Sequence, residues 1–198
     1  MNNTPVSSAA PATALLPGKL ERITTLVILV LSALLGTAYI HWGLPALWHP
    51  DEIVELSLRM AKNNDLNPQF FAYPSLQIYF SYFLTVFPLS LIDSKHFFES
   101  VSSWVGFPAD LTSLSYLFSR LLTAIMATLT VWFTIQIATR IFNTTIGLLS
   151  GFFLCISAGF INFSHFATVD IPLCFWLSVS FYFCVELVFG LDPKHAYF

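Results

Sequence analysis

Residues 119–142 read SRLLTAIMATLTVWFTIQIATRIF, in which the nineteen residues 121–139 carry no charge and are bracketed by Arg120 and Arg140. At the rise of an α-helix that run is about 28 Å long, close to the hydrocarbon thickness of a bilayer. Two cations at the ends of such a run are the signature of a helix that crosses a membrane with its charges at the interfaces. Four more apolar runs, residues 23–40, 75–92, 146–162 and 171–188, surround it. The expected fold class is therefore all-α, a multi-pass transmembrane helical bundle with amphipathic surface helices in its first outer loop.

Composition agrees with this. The chain is 56% apolar and 10% charged with a mean hydropathy of +0.73, whereas a soluble domain is about half apolar and about a quarter charged. The 21 Phe and 5 Trp suit lipid-facing and interfacial positions. A net charge of -3 offers no electrostatic footprint for nucleic acid, which is excluded as a partner. Cys155, Cys174 and Cys184 all lie inside apolar runs, where a thiol packs as a small hydrophobe, and their spacing makes neither a disulfide framework nor a zinc site.

Residues 1–22 read as a disordered cytoplasmic lead, and residues 23–198 as one transmembrane domain with spans at 23–40, 114–141, 146–162 and 171–188. The run from residue 23 is too long for a signal-peptide core and lacks a cleavage pattern. Lys19 and Arg22 put the N-terminus inside, in a cytoplasmic (inner) membrane. The run 75–92 is short, holds Pro88 and several polar residues, and is expected as a partly inserted surface helix. If it crosses instead, Asp51 and Asp170 lie on opposite faces. Residues 51–63 form a second expected surface helix: Ile53, Leu56 and Met60 fall on one face, with Asp51, Glu52, Glu55, Arg59 and Lys62 on the other arc. The turn signal Asn63-Asn64-Asp65 ends it. Because the chain stops soon after its last apolar run, it is expected to be the N-terminal portion of a larger protein.

Three places carry chemistry. Asp51 and Glu52, in WHPDE, are ordinary carboxylates for a helix start, or a base on the outer surface. Asp170, in SHFATVDIP, either caps the next helix ahead of Pro172 or joins His165 in a titratable interhelical loop. Arg120 has an apolar turn on both sides, so it is either a snorkelling anchor or a buried cation that needs an anion, for which a lipid phosphate is one candidate. His41, His49, His96 and His195 are scattered without metal-ligand spacing, and Glu186 reads as a packing residue near the inner end. Neither a glycine-rich dinucleotide motif nor a P-loop occurs, so a nucleotide site is unsupported.

Taken in order, WHPDE, FFAYPSL, the arginine-led span and SHFATVDIPLCFWL resemble the N-terminal part of the GT-C membrane glycosyltransferases, in the protein O-mannosyltransferase and aminoarabinose transferase branch. The resemblance runs from about residue 23 onward. It implies an acidic catalytic motif at Asp51 and Glu52, surface helices before the second true span, Asp170 on the same side as Asp51, and a lipid-phosphate contact at Arg120. Relatives in the aminoarabinose branch carry a lysine just before the proline of the YPSL-like motif, where this chain has Tyr73; the departure argues against that substrate. The implied activity is transfer of a sugar from a polyprenyl-phosphate carrier to a protein or glycolipid hydroxyl on the outer face, with inversion. Asp51, Glu52 and Asp170 are then the catalytic set, and Arg120, His165 and Tyr73 the donor-phosphate set. No cofactor is required, although adjacent carboxylates are compatible with a divalent metal. The rival reading from another class is a transporter or channel component in which Asp170, Glu186 and Arg120 line a path, or a non-catalytic fragment of the fold.

Overall fold

The computed structural model describes residues 18–46, 49–92 and 95–190; most of the expected lead, Trp48, Lys194 and His195 lie outside them. Every regular element among the described residues is a helix. In chain order these are α1 (Gly18–Thr37), α2 (Val54–Asn63), α3 (Ser75–Ser81), a π-helical turn (Tyr82–Val86), α4 (Phe87–Ser90), α5 (Lys95–Val105), α6 (Leu111–Ile141), α7 (Thr144–Cys155), α8 (Ala158–Ser164) and α9 (Asp170–Gly190). Three of them, α1, α6 and α9, are long and apolar enough to cross a membrane. The protein is accordingly an all-α, multi-pass membrane protein.

The long helix α6 is the axis on which the others are placed. It begins at a capping box, with the Asp110 carboxylate accepting from the Ser113 N–H at 2.7 Å and the Ser113 hydroxyl accepting from the Asp110 N–H at 2.9 Å. Its hydroxyls, Thr123, Thr128, Thr130 and Thr134, donate back to carbonyls one turn earlier, so they add no unpaired polar group to an apolar setting. At its far end Asn143 caps α7 by accepting from the Ile146 N–H at 3.0 Å. The hairpin is then drawn tight by Gly147 and Gly151, spaced four apart on one face of α7. A Cβ at Gly147 would collide with the Thr139 hydroxyl and the Ile135 carbonyl, and one at Gly151 with the Ile135 side chain.

The expected span at 146–162 is two helices, α7 and α8, meeting at 62°. Ile156 and Ser157 form the break, and Gly159 lies in the first turn of α8; serine and glycine together are residues that let a helix bend. Ile28 of α1 packs with Val131 and Ile135 of α6 and with Leu148 and Cys155 of α7 in one buried cluster. Gly36 approaches Ser164 and Ala124, so α1 runs antiparallel to α6 and ends beside the end of α8. Ile171 of α9 packs against Met126 and Ala127, while Glu186 pairs with Arg140 at 3.3 Å, so α9 runs in the same direction as α6. The outward surfaces of these helices are apolar, with Leu26, Val27, Leu34, Phe153, Phe183 and Leu187 all exposed, as lipid requires.

Residues 38–110 therefore leave from the end of α1 and return to the start of α6 at the same end of the bundle. Within them α2 uses its apolar face differently from the expectation of a bilayer contact. Ile53, Leu56 and Met60 are covered by Ile78 and Tyr82 of the next helical segment, and the Ser57 hydroxyl donates to the Ile78 carbonyl at 3.0 Å. Glu55, Arg59 and Lys62 remain exposed, and Asn64, in the left-handed conformation, ends the helix. A buried hydroxyl cluster docks the π turn on α6: Ser119 lies 2.9 Å from both Ser81 and Thr85. Helix α5, which the sequence pattern alone does not reveal, buries none of its residues and leaves Trp104 fully turned outward.

Replacing Gly147 or Gly151 by leucine should overpack the α6–α7 contact by about 1–3 kcal/mol. Gly159→Ala is the matched control, because a Cβ there meets nothing. Thermal unfolding in detergent, followed by tryptophan fluorescence, should give a melting temperature several degrees lower for the two leucine variants and an unchanged one for the control.

Candidate functional site

At the shared end of the bundle the deciding residue is Arg120, which is 1% exposed. Its anionic partner is the Glu52 carboxylate, held in a two-pronged pair with Nε at 2.7 Å and Nη2 at 2.8 Å. Nη1 donates to the carbonyls of Ile40 at 3.0 Å and Trp42 at 2.7 Å. A guanidinium has five N–H donors, so these contacts leave one for any further anion. Glu52 is equally committed: its Oε1 also accepts from the Ala167 N–H at 3.0 Å. The Ile53 N–H returns to the Ala167 carbonyl at 3.1 Å. Four segments that are distant in sequence thus converge on one ion pair.

The clamp fixes the approach to α2, which begins at Val54: the Glu52 side chain is drawn inward to Arg120, and the Ile53 N–H, which a helix start leaves without an intrahelical partner, is satisfied by the Ala167 carbonyl. Two adjacent carboxylates therefore have opposite surroundings. Glu52 is buried and fully paired, whereas Asp51 is exposed, its backbone N–H donating to His49 Nδ1 at 3.4 Å. Asp170 is also exposed, as the first residue of α9, three residues beyond the clamped Ala167 and thus at the same end as Asp51.

A cavity of about 500 Å³ opens beside the clamp, between the end of α1 and α8. Tyr39, Trp42, Arg120, Asn162, His165 and Phe166 line it. His165 Nε2 lies 2.7 Å from the Leu35 carbonyl, and since a carbonyl can only accept, that nitrogen carries a proton. The contact ties the end of α8 to α1. Phe166 forms a wall shared by the cavity and the acidic loop: His49 stacks on it at 4.2 Å, and Arg120 Cζ lies 5.4 Å from its centroid. Arg120 and His165 are thus brought to one cavity. Tyr73 is not among its lining residues; it stands half-buried in the α2–α3 cluster, edge-on to Phe70 at 5.3 Å.

A family model, dolichyl-phosphate-mannose-protein mannosyltransferase, matches residues 96–194, half of the chain. The chain belongs to that family. The matched residues include Arg120, His165 and Asp170, while Asp51, Glu52 and Tyr73 precede them. No curated protein and no solved structure matches the chain. Membership makes this a mannosyltransferase-type glycosyltransferase, a family whose name specifies a lipid-phosphate-linked sugar and a protein. Seen from the mannosyltransferase family, Phe166 and His49 are what sequence reasoning missed: His49 looked like one more scattered histidine. The Glu52–Arg120 pairing was half legible: a cation inside an apolar run calls for an anion, but the anion expected was a lipid phosphate, and Asp51 and Glu52 stand side by side in the sequence with nothing to choose between them.

Breaking the pair from one side should leave an uncompensated buried charge. Glu52→Gln or Arg120→Met alone is expected to destabilise the protein by about 3–5 kcal/mol. The double variant should lose clearly less than the sum. A double-mutant cycle on thermal unfolding checks this, and additive losses would contradict the coupling.

Proposed function

We propose that the chain moves a sugar from a polyprenyl-phosphate carrier to an acceptor hydroxyl, on the outer face of the cytoplasmic (inner) membrane and with inversion at the anomeric carbon. The observation that carries this reading is the division of labour between the two neighbouring carboxylates. Glu52 is spent on Arg120 and holds the loop; Asp51 is left exposed beside it, open to an acceptor as a general base must be. Asp51 accepts the proton of the acceptor hydroxyl as its oxygen attacks the anomeric carbon. The phosphate leaves as an anion from the opposite face, so no general acid is required, unlike the paired carboxylates of a glycoside hydrolase.

The cavity supports a donor seat next to this base. Its walls are mostly apolar and aromatic, suited to an isoprenoid chain, and its polar members are Arg120, Asn162 and His165. The remaining Arg120 N–H stabilises charge on the departing phosphate, while His165, whose Nε2–H is spent on the Leu35 carbonyl, helps to form the wall of the seat. Arg120 acts chiefly through Glu52, as the fixed point of the loop, and only secondarily as a phosphate contact. Asp170 stands exposed at the same end as a second carboxylate. The half-buried Tyr73 supports the α2–α3 packing from which the loop is hung, away from the phosphate. The acceptor is a protein or glycolipid hydroxyl, in keeping with the protein acceptor in the family's name.

In the full-length protein, Asp51→Asn should reduce transfer from a labelled polyprenyl-phosphate mannose by at least about 100-fold, since general bases contribute about 10²–10⁴. Its melting temperature should match that of the parent, because Asp51 is exposed. Parent-like turnover by this variant would refute the assignment.

A further inference from the structure

We propose that His49 is a positioning residue for Asp51, and that Phe166 fixes His49 in that role. The inference rests on the reading of Asp51 as the base. A base open to an acceptor has to be exposed, yet productive geometry tolerates only about 0.5 Å of error. Glu52 fixes the chain on one side of Asp51. On the other side Pro50 has no N–H to donate, so the loop needs some other tether.

His49 supplies it. The Asp51 N–H donates to His49 Nδ1 at 3.4 Å, a long local bond that would contribute little if the imidazole were free to turn. The imidazole is not free. It lies stacked on Phe166 with centroids 4.2 Å apart and planes at 28°, across a sequence separation that no local turn spans. Phe166 is in turn set between firm neighbours: Arg120 Cζ lies 5.4 Å from its ring, Trp42 meets it edge-on at 6.1 Å, and the next residue, Ala167, is bonded through both its N–H and its carbonyl to Glu52 and Ile53. A continuous set of contacts runs from the buried ion pair through Phe166 and the imidazole to the backbone of Asp51. Because Nδ1 accepts, the ring proton resides on Nε2, and this tautomer is the one the tether requires.

Two substitutions separate the ring from the acceptor. His49→Phe keeps a ring to stack on Phe166 but has no acceptor for the Asp51 N–H. His49→Asn loses the ring but presents its side-chain oxygen near the place of Nδ1. In the full-length protein, His49→Phe should lower kcat about 10–100-fold, the scale expected when a reacting group is misplaced by an ångström or less. Its KM for polyprenyl-phosphate mannose should stay within about twofold and its melting temperature unchanged. His49→Asn, which restores the acceptor without the stack on Phe166, should recover part of the loss, with a kcat between those of the parent and His49→Phe. Parent-like kcat in His49→Phe would overturn the proposal, as would equal losses in both variants or losses that track a fall in melting temperature. Asp51→Asn run alongside separates the two levels. An active Asp51→Asn variant removes the base itself, whereas an inactive one beside an unaffected His49→Phe variant removes only the positioning role.

Discussion

A guanidinium withdrawn from water needs an anion and nearly all of its donors satisfied, and the Arg120–Glu52 pair meets that demand with two short bonds to the carboxylate and two to carbonyls. The rest of the loop end follows from it. The turns after α1 are pinned through Ile40 and Trp42, the approach to α2 through Glu52, and the link between α8 and α9 through Ala167. Without an anion from the loop, Arg120 would be an isolated cation in an apolar helix. The pair is better understood as fixing one arrangement of these segments than as a large net source of stability, since the desolvation of both ions opposes their attraction.

Lipid as the surrounding solvent explains the rest of the bundle. The helices turn large apolar side chains outward and keep hydroxyls bonded within themselves or to each other, as at Ser81, Thr85 and Ser119. Close helix contact then relies on small residues, which is why Gly147 and Gly151 set the α6–α7 hairpin. At the opposite end from the clamp, Arg140 lies within 3.3 Å of Glu186, although its Nε makes no hydrogen bond of good geometry. That pair is partly exposed and is a weaker fixture than the buried one.

Much of the fold is legible in the sequence because hydropathy and length decide it. The charge-free run between Arg120 and Arg140 marks α6, and the runs at 23–40 and 171–188 overlap α1 and α9. The boundaries are less legible, since they depend on caps and tertiary bonds: the Asp110 capping box starts α6 earlier than the hydropathy does, and the Ile53 N–H at the start of α2 is satisfied by the remote Ala167 carbonyl. Of the candidate site residues, composition and motif bring forward Asp51, Glu52, Arg120, His165 and Asp170, all at one end of the bundle. What they do not reveal is the division between them. Adjacent Asp51 and Glu52 look equivalent in a string of letters, and only the tertiary position of Arg120 makes one buried and the other free. His49 escapes for the same reason: its significance lies in Phe166, which is remote in the chain and has no motif of its own.

The clamp gathers the acidic loop and the start of α9 at a single end of the bundle, with the α6–α7 turn at the other. The most direct test of this arrangement is labelling by a membrane-impermeant maleimide in intact cells, with single cysteines at Glu55, Asp170 and Phe142 on a cysteine-free background. All three positions are exposed. Labelling should be the same at Glu55 and Asp170 and opposite at Phe142, and reaction of the first two from outside would further support the outer-face reading. Labelling of Glu55 and Asp170 from opposite sides would contradict the shared end, and with it the ion pair on which the site is built.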